Sequence, residues 1–178
     1  LDGRDLSYTI NRTMMRINLP KPLAPGNTFS FKIKWNYTIN NVVTDGGRSG
    51  VEEFADGNKA FIIAQFFPRL CVYNNVEGWQ NMQFWGRSEF ALEFGDYDVK
   101  LTVPADHIVE ATGELQNEKD VLTREQRKRW EKARKSYKNP VLIVTQAEAE
   151  ANEKKRSTKT KTWHFKAKNV RDYAFASS

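Results

Sequence analysis

The sequence predicts an all-β domain, a saddle-like or β-sandwich arrangement of antiparallel strands with one or two surface helices inserted. Three observations carry this. Apolar and polar residues alternate at period two in several short runs, clusters of proline and glycine separate the runs, and helical signals are confined to one late stretch. With 178 residues, 12% of them aromatic, the chain can bury a real core. The expectation is therefore one β domain over residues 1–178, with a helical and basic insertion at about 123–161.

Met15, Ile17 and Leu19 alternate with Arg16 and Asn18, suggesting an antiparallel neighbour for the run that follows. A loop from Lys21 to Asn27, built on two prolines and a glycine, leads into that run. From Phe29 to Ile39 the alternation is strict, the period of a strand with one buried and one wet face. Asp45–Gly50 is a turn-rich connection. Phe61–Phe67 is nearly continuous in apolar residues and reads as a strand buried on both faces.

Phe90, Leu92 and Phe94 alternate, and Tyr97, Val99, Leu101 and Val103 alternate again up to Pro104. Gly95-Asp96 between them is either a turn or a point through which one strand runs. Ile108–Thr112 is a short strand closed by Gly113. The chain ends with the alternating run Thr162–Ala167 and the apolar piece Tyr173–Ala176.

Thr123-Arg124-Glu125-Gln126 fits a capping box, opening a helix that runs to about Tyr137 and stops before Asn139-Pro140. Leu122, Trp130, Ala133 and Tyr137 give it a thin apolar stripe, which places it at the surface. Thr145-Gln146-Ala147-Glu148 opens a shorter second helix.

The net charge of +6 is concentrated. Residues 124–138 carry eight cations against Glu125 and Glu131, and residues 154–161 add Lys154, Lys155, Arg156, Lys159 and Lys161 with no acid. Such clusters suit nucleic acid. The aromatics of the first run, Trp130 and Tyr137, are taken up by the helix's apolar stripe and the second run has none, so a solvated helix face and a basic loop are the preferred reading, with no nucleic-acid partner. No stretch reaches the roughly 20 apolar residues of a membrane-spanning helix. Leu1–Asp5 shows no signal-peptide pattern, so the chain reads as soluble, its compartment open. Without an initiator Met, it also reads as a processed chain or an excised piece.

Chemistry is sparse. The lone Cys71 rules out an internal disulfide framework and suits an inert buried thiol between Leu70 and Val72. His107 and His164 begin no His-Glu-x-x-His pair, and His164 reads as a surface strand residue. Asp96 and Asp98 share one face of a strand and read as solvated. Gly46-Gly47-Arg48-Ser49-Gly50 has neither phosphate-loop nor dinucleotide spacing. The chain presents no catalytic constellation and no metal or cofactor site, so alone it is not expected to be an enzyme.

Phe90–Pro104, running on to Ala111-Thr112-Gly113-Glu114-Leu115, resembles the N-terminal domain of aminopeptidase N-type zinc peptidases (peptidase family M-one). Lys161–Phe165 and Asn169–Ala176 are similar to the last strands of the same domain. The resemblance spans about residues 60–178, and 12–39 by pattern. It implies an all-β domain that breaks no bond. That domain would wall one side of a peptide cleft and pack on its own thermolysin-like catalytic domain, which holds the zinc. It also implies that Ala64-Gln65-Phe66-Phe67 corresponds to the family's substrate-contacting motif. Gln65 would then meet the substrate's free amine and first side chain, beside Phe67, which stands where the family has an acid or amide. The rival reading is a stand-alone β-sandwich module binding carbohydrate or protein through Trp79 and Trp85. Tyr73, Trp79, Gln80 and Trp85 suit either a cleft lining or a core.

Overall fold

The computed structural model describes residues 5–87, 89–154 and 156–178. Leu1–Arg4, the bulk of the stretch read above for a leader, and Lys155 of the basic loop lie outside the described residues, as does Ser88. In chain order the strands are β1 (Tyr8–Asn11), β2 (Met14–Ile17), β3 (Gly50–Glu53), β4 (Lys59–Ala64), β5 (Tyr73–Asn74), β6 (Gly78–Trp79), β7 (Gly95–Pro104), β8 (Val109–Ala111) and β9 (Glu114–Leu115). Helices α1 (Glu118–Val121), α2 (Arg124–Ala133) and α3 (Gln146–Asn152) follow, then β10 (Thr160–Val170) and β11 (Ala174–Ser177). The fold is mainly β, with antiparallel sheets and short helices. The chain divides into two compact units, Leu1–Thr38 with Phe67–Glu93, and Ile39–Phe66 with Phe94–Ser178.

The first unit holds two hairpins. β1 and β2 pair from Tyr8↔Ile17 to Asn11↔Met14 across a tight turn in which Arg12 is left-handed, at φ 55°. β5 and β6 pair through Tyr73↔Trp79, and the Asn74 side chain accepts from the backbone N–H groups of Val76 and Glu77 at 3.0 and 2.8 Å to shape the turn.

Two expected strands are absent here. Residues 29–39 belong to no strand, and Phe31, Trp35 and Tyr37 stay exposed. Residues 90–94 likewise form no strand. Alternation specifies a chain with one apolar face but names no partner. Met14–Ile17 pairs with β1, nine residues upstream or fewer, where loop closure costs least, and not with the distant 29–39 run.

The second unit contains a four-stranded sheet, β3-β4-β11-β8, and a three-stranded sheet, β7-β10-β9. β7 and β10 pair from Thr160↔Pro104 to Ala167↔Tyr97, then slip at a bulge before Val170↔Gly95. The bulge places Asn169 at φ 54°, with its N–H donating to Asp96 Oδ1 at 2.9 Å. The strand thus starts at Gly95, which is not a turn. Trp163, Phe165 and Ala167 of β10 and Leu101 of β7 are buried, as are Ile63, Val109 and Tyr173 around the other sheet. The Tyr97 and Tyr173 rings meet at 5.6 Å.

β4 departs from expectation on two points. Ile63 is buried but Ile62 is 60% exposed, so only one face of this strand is covered. The apolar run reflects sequence composition and not a second covering layer. The strand also ends at Ala64, leaving Phe66 and Phe67 beyond it.

Helix α2 opens with the expected capping box, Gln126 N donating to Thr123 Oγ1 at 3.3 Å and Thr123 N to Gln126 Oε1 at 2.9 Å. It ends at Ala133, four residues early, and Tyr137 is 95% exposed. Tyr137, which would have continued the apolar stripe, has no surface to bury against. The chain there tightens into three-residue bonds, Lys135 N to Lys132 O and Ser136 N to Ala133 O. Helix α3 carries a second capping box, between Thr145 and Glu148.

Candidate functional site

The site lies at the end of β4. Ala64 is the last residue in register with β11, opposite Ala174. Its backbone is held on the other side by Ser49. The Ser49 hydroxyl accepts from Ala64 N at 2.9 Å and donates to Ala64 O at 3.0 Å, so one side chain satisfies both polar groups of that residue. Ser49 itself is set by Gly50, where φ is +157° and a Cβ would meet the Asn40 carbonyl oxygen. That oxygen accepts from Val51 N at 2.9 Å, drawing the 40–42 segment against β3.

Gln65 follows directly and is left-handed, at φ 53°. Left-handed backbone costs a Cβ-bearing residue about 1–2 kcal/mol and is routine only for glycine and, less often, Asn or Asp. The other two non-glycine residues with positive φ have local reasons, the β1–β2 turn at Arg12 and the β10 bulge at Asn169. At Gln65 the strand simply ends, and the side chain is exposed. After it Phe66 turns inward and packs edge-on against Phe175 at 5.3 Å. Ser49 before the bend and Phe66 after it therefore fix a conformation that the residue between them disfavours.

Of the two residues predicted to contact substrate, Gln65 belongs to the second unit and Phe67 to the first. Phe67 is half-buried, with the Arg69 guanidinium 5.4 Å over its ring. Sequence reasoning missed Ser49 and Gly50. The signal was a Ser-Gly pair at the entry to a strand, which periodicity does not interpret.

Other candidate chemistry resolves into structural roles. His164 projects from the face opposite Trp163 and Phe165, and its Nε2 lies 2.6 Å from Asp98 Oδ1, with Lys166 Nζ at 3.1 Å from the other oxygen. The His164 contact, then Lys166, holds the Asp98 carboxyl below the usual range. His107 Nδ1 lies 2.9 Å from Ser177 Oγ, but Ser177 is buried within β11 and offers no approach to a substrate. Cys71 is half-buried and not fully enclosed, its Sγ 4.0 Å from Met14 Sδ. Trp79 and Trp85 are exposed, Trp85 beneath the Arg12 guanidinium at 5.2 Å.

Several cations of the basic segments tie the fold together. Arg127 Nη1 donates to the Lys119 and Leu122 carbonyls, both at 3.1 Å. Arg129 donates to the Ile143 carbonyl and to Glu148. Lys161 reaches the Val121 carbonyl, and Arg156 bonds to Asn58 Oδ1 and the Asp56 carbonyl. The positive charge thus anchors the helical insertion to its neighbours as well as facing solvent.

Among the described residues, no group of three or more His, Cys, Asp or Glu side chains could hold a metal ion. No helix among them is long and apolar enough to cross a membrane. No family model, curated protein or solved structure matches this chain.

Proposed function

We propose that this chain is the non-catalytic N-terminal β domain of a zinc-dependent aminopeptidase-type metallopeptidase. It forms one wall of the substrate cleft and packs on a thermolysin-like catalytic domain outside this chain. The resemblance of Phe90–Pro104 with Ala111–Leu115, and then of Lys161–Phe165 with Asn169–Ala176, in that order, supports this reading. One observation carries the site: Gln65 presents an exposed amide from left-handed backbone at the end of a clamped strand. A residue kept against its conformational preference, where glycine or asparagine would sit more comfortably, has been kept for its side chain.

An amide can both accept from an α-ammonium group and donate to a peptide carbonyl. By the resemblance alone, Phe67 stands where the family has an acid or amide, and an apolar residue there would favour an apolar first side chain. The zinc, held by the catalytic domain, would supply the activated water. This chain's share is to bind and orient the peptide's N-terminal residue. The test is Gln65→Ala in the longer protein that the proposal requires, assayed on alanine 4-nitroanilide. The expected result is a tenfold or greater rise in KM. An unchanged KM removes Gln65 from the substrate contacts.

A second reading, a stand-alone module binding carbohydrate or protein, draws on Trp79 and Trp85, which are 55% and 72% exposed. Exposed indoles form stacking platforms for sugar rings. Titration with a soluble oligosaccharide would quench their fluorescence, and Trp79→Ala with Trp85→Ala would abolish the quenching.

A further inference from the structure

We infer that Ser49 is a positioning residue for Gln65, acting through the backbone of Ala64; the inference rests on reading Gln65 as a peptide contact. The chain of contacts is short. Gly50 lets the Asn40 carbonyl approach so closely that no other residue fits there. This fixes where Ser49 leaves β3. Its hydroxyl then closes a two-bond ring with Ala64, 2.9 Å from N and 3.0 Å from O. Ala174 faces the same residue across the sheet, but its own N–H and C=O turn to Thr112. The backbone hydrogen bonds of Ala64 go to Ser49, just before the left-handed bend.

Without the hydroxyl, Ala64 N–H and C=O lose the partner that Ser49 gives them, and of the two contacts that hold the bend only the packing of Phe66 on Phe175 remains. Gln65 at φ 53° would return toward the extended or right-handed regions, which are lower in energy for a residue with a Cβ. The amide would then swing away from the direction in which it is now presented. Ser49 touches no ligand itself. Its contribution is to hold the contacting side chain in a conformation that side chain would not choose, so its loss acts on peptide affinity and not on the chemical step.

Two measurements test this together. In the isolated chain, Ser49→Ala should speed amide hydrogen exchange at Ala64 at least tenfold, and Ser49→Thr, which retains the hydroxyl, should not. Unchanged exchange in Ser49→Ala overturns the clamp. In the longer protein that the proposal requires, with alanine 4-nitroanilide as substrate, Ser49→Ala should raise KM by a factor close to that of Gln65→Ala. It should leave kcat within twofold, and Ser49→Thr should restore the KM. The double variant should be no worse than Gln65→Ala alone. Additive losses, or a fall in kcat with KM unchanged, overturn the positioning role. If Gln65→Ala has no effect, the peptide-contact reading fails at Gln65 itself, and exchange at Ala64 still reports separately on the clamp.

Discussion

Arg129 and Glu148 join helices α2 and α3, the Arg129 Nη2 lying 2.6 and 2.5 Å from the two carboxylate oxygens. The same carboxylate accepts from Thr145 N at 2.8 Å and so completes the α3 capping box. One side chain therefore serves as both an interhelical tie and a helix cap. Arg129 in turn donates to the Ile143 carbonyl at 2.7 Å, carrying the tie into the connecting loop.

This arrangement sets a pH dependence. The Arg129 guanidinium, then the Thr145 backbone, holds the Glu148 carboxyl down at about 2. A folded-state value below the unfolded one means that the pair stabilises the protein above the ordinary carboxylate value. That stability drains away as pH falls toward about 2. Glu148→Gln keeps a capping partner and loses the charge, whereas Glu148→Ala loses both and should cost about 1 kcal/mol more. Urea midpoints for wild type and Glu148→Gln should differ at pH 7 and converge by pH 2. A gap independent of pH would refute the ion pair's role.

Gly113 separates β8 from β9 at φ +100°, and a Cβ there would lie 2.7 Å from the Lys166 carbonyl carbon and 2.9 Å from the Ala167 Cβ. Both obstacles belong to the central strand β10, which cannot move without disturbing the core. Gly113→Ala should cost upward of about 2 kcal/mol in urea unfolding, combining backbone strain with the clash. A loss below half that amount would show that the β8–β9 connection lies farther from β10.

Trp163 and Tyr173 are the largest fully buried side chains, and both keep a polar atom without a hydrogen-bond partner, Nε1 and the hydroxyl respectively. Burial raises the Tyr173 hydroxyl to about 12, with the Glu110 charge adding to it. Trp163→Ala should cost about 3–5 kcal/mol through the cavity it leaves. Tyr173→Phe should leave stability unchanged or raise it, because it removes a desolvated group that gains nothing in return. A loss above about 1 kcal/mol for Tyr173→Phe would reveal a partner for that hydroxyl.

Gln65→Gly should raise stability by up to about 1 kcal/mol by relieving the left-handed strain, despite the entropy glycine adds to the unfolded chain. Thermal unfolding of the isolated chain reads this. A destabilisation of that size would mean that the Gln65 side chain supports the fold, and would remove the strain as a sign of function.

Much of the second unit was legible because its signals are local. The alternation of Tyr97, Val99, Leu101 and Val103 against Trp163, Phe165 and Ala167 describes two strands whose inward faces meet in register. The Thr123–Gln126 box marked where α2 begins, since a cap is satisfied within one turn. Its end was misjudged because termination depends on what Tyr137 can pack against, and that is a tertiary matter. The 29–39 run carried the strongest strand pattern in the chain yet forms no strand, since alternation encodes a face and not a neighbour. At the candidate site, Gln65 came from a family resemblance. Its left-handed backbone and the Ser49 clamp arise from contacts 15 residues apart in sequence, invisible to any window of periodicity.

The decisive experiment is a peptidase assay on the longer protein that the proposal requires, with and without a zinc chelator, beside residues 1–178 alone. Hydrolysis of alanine 4-nitroanilide by the longer protein, abolished by chelation, restored by zinc and weakened in KM by Gln65→Ala, is the expected result, with no turnover by the shorter chain. A longer protein without chelator-sensitive activity, or one in which Gln65→Ala changes nothing, would contradict the assignment of this chain as a wall of a peptidase cleft.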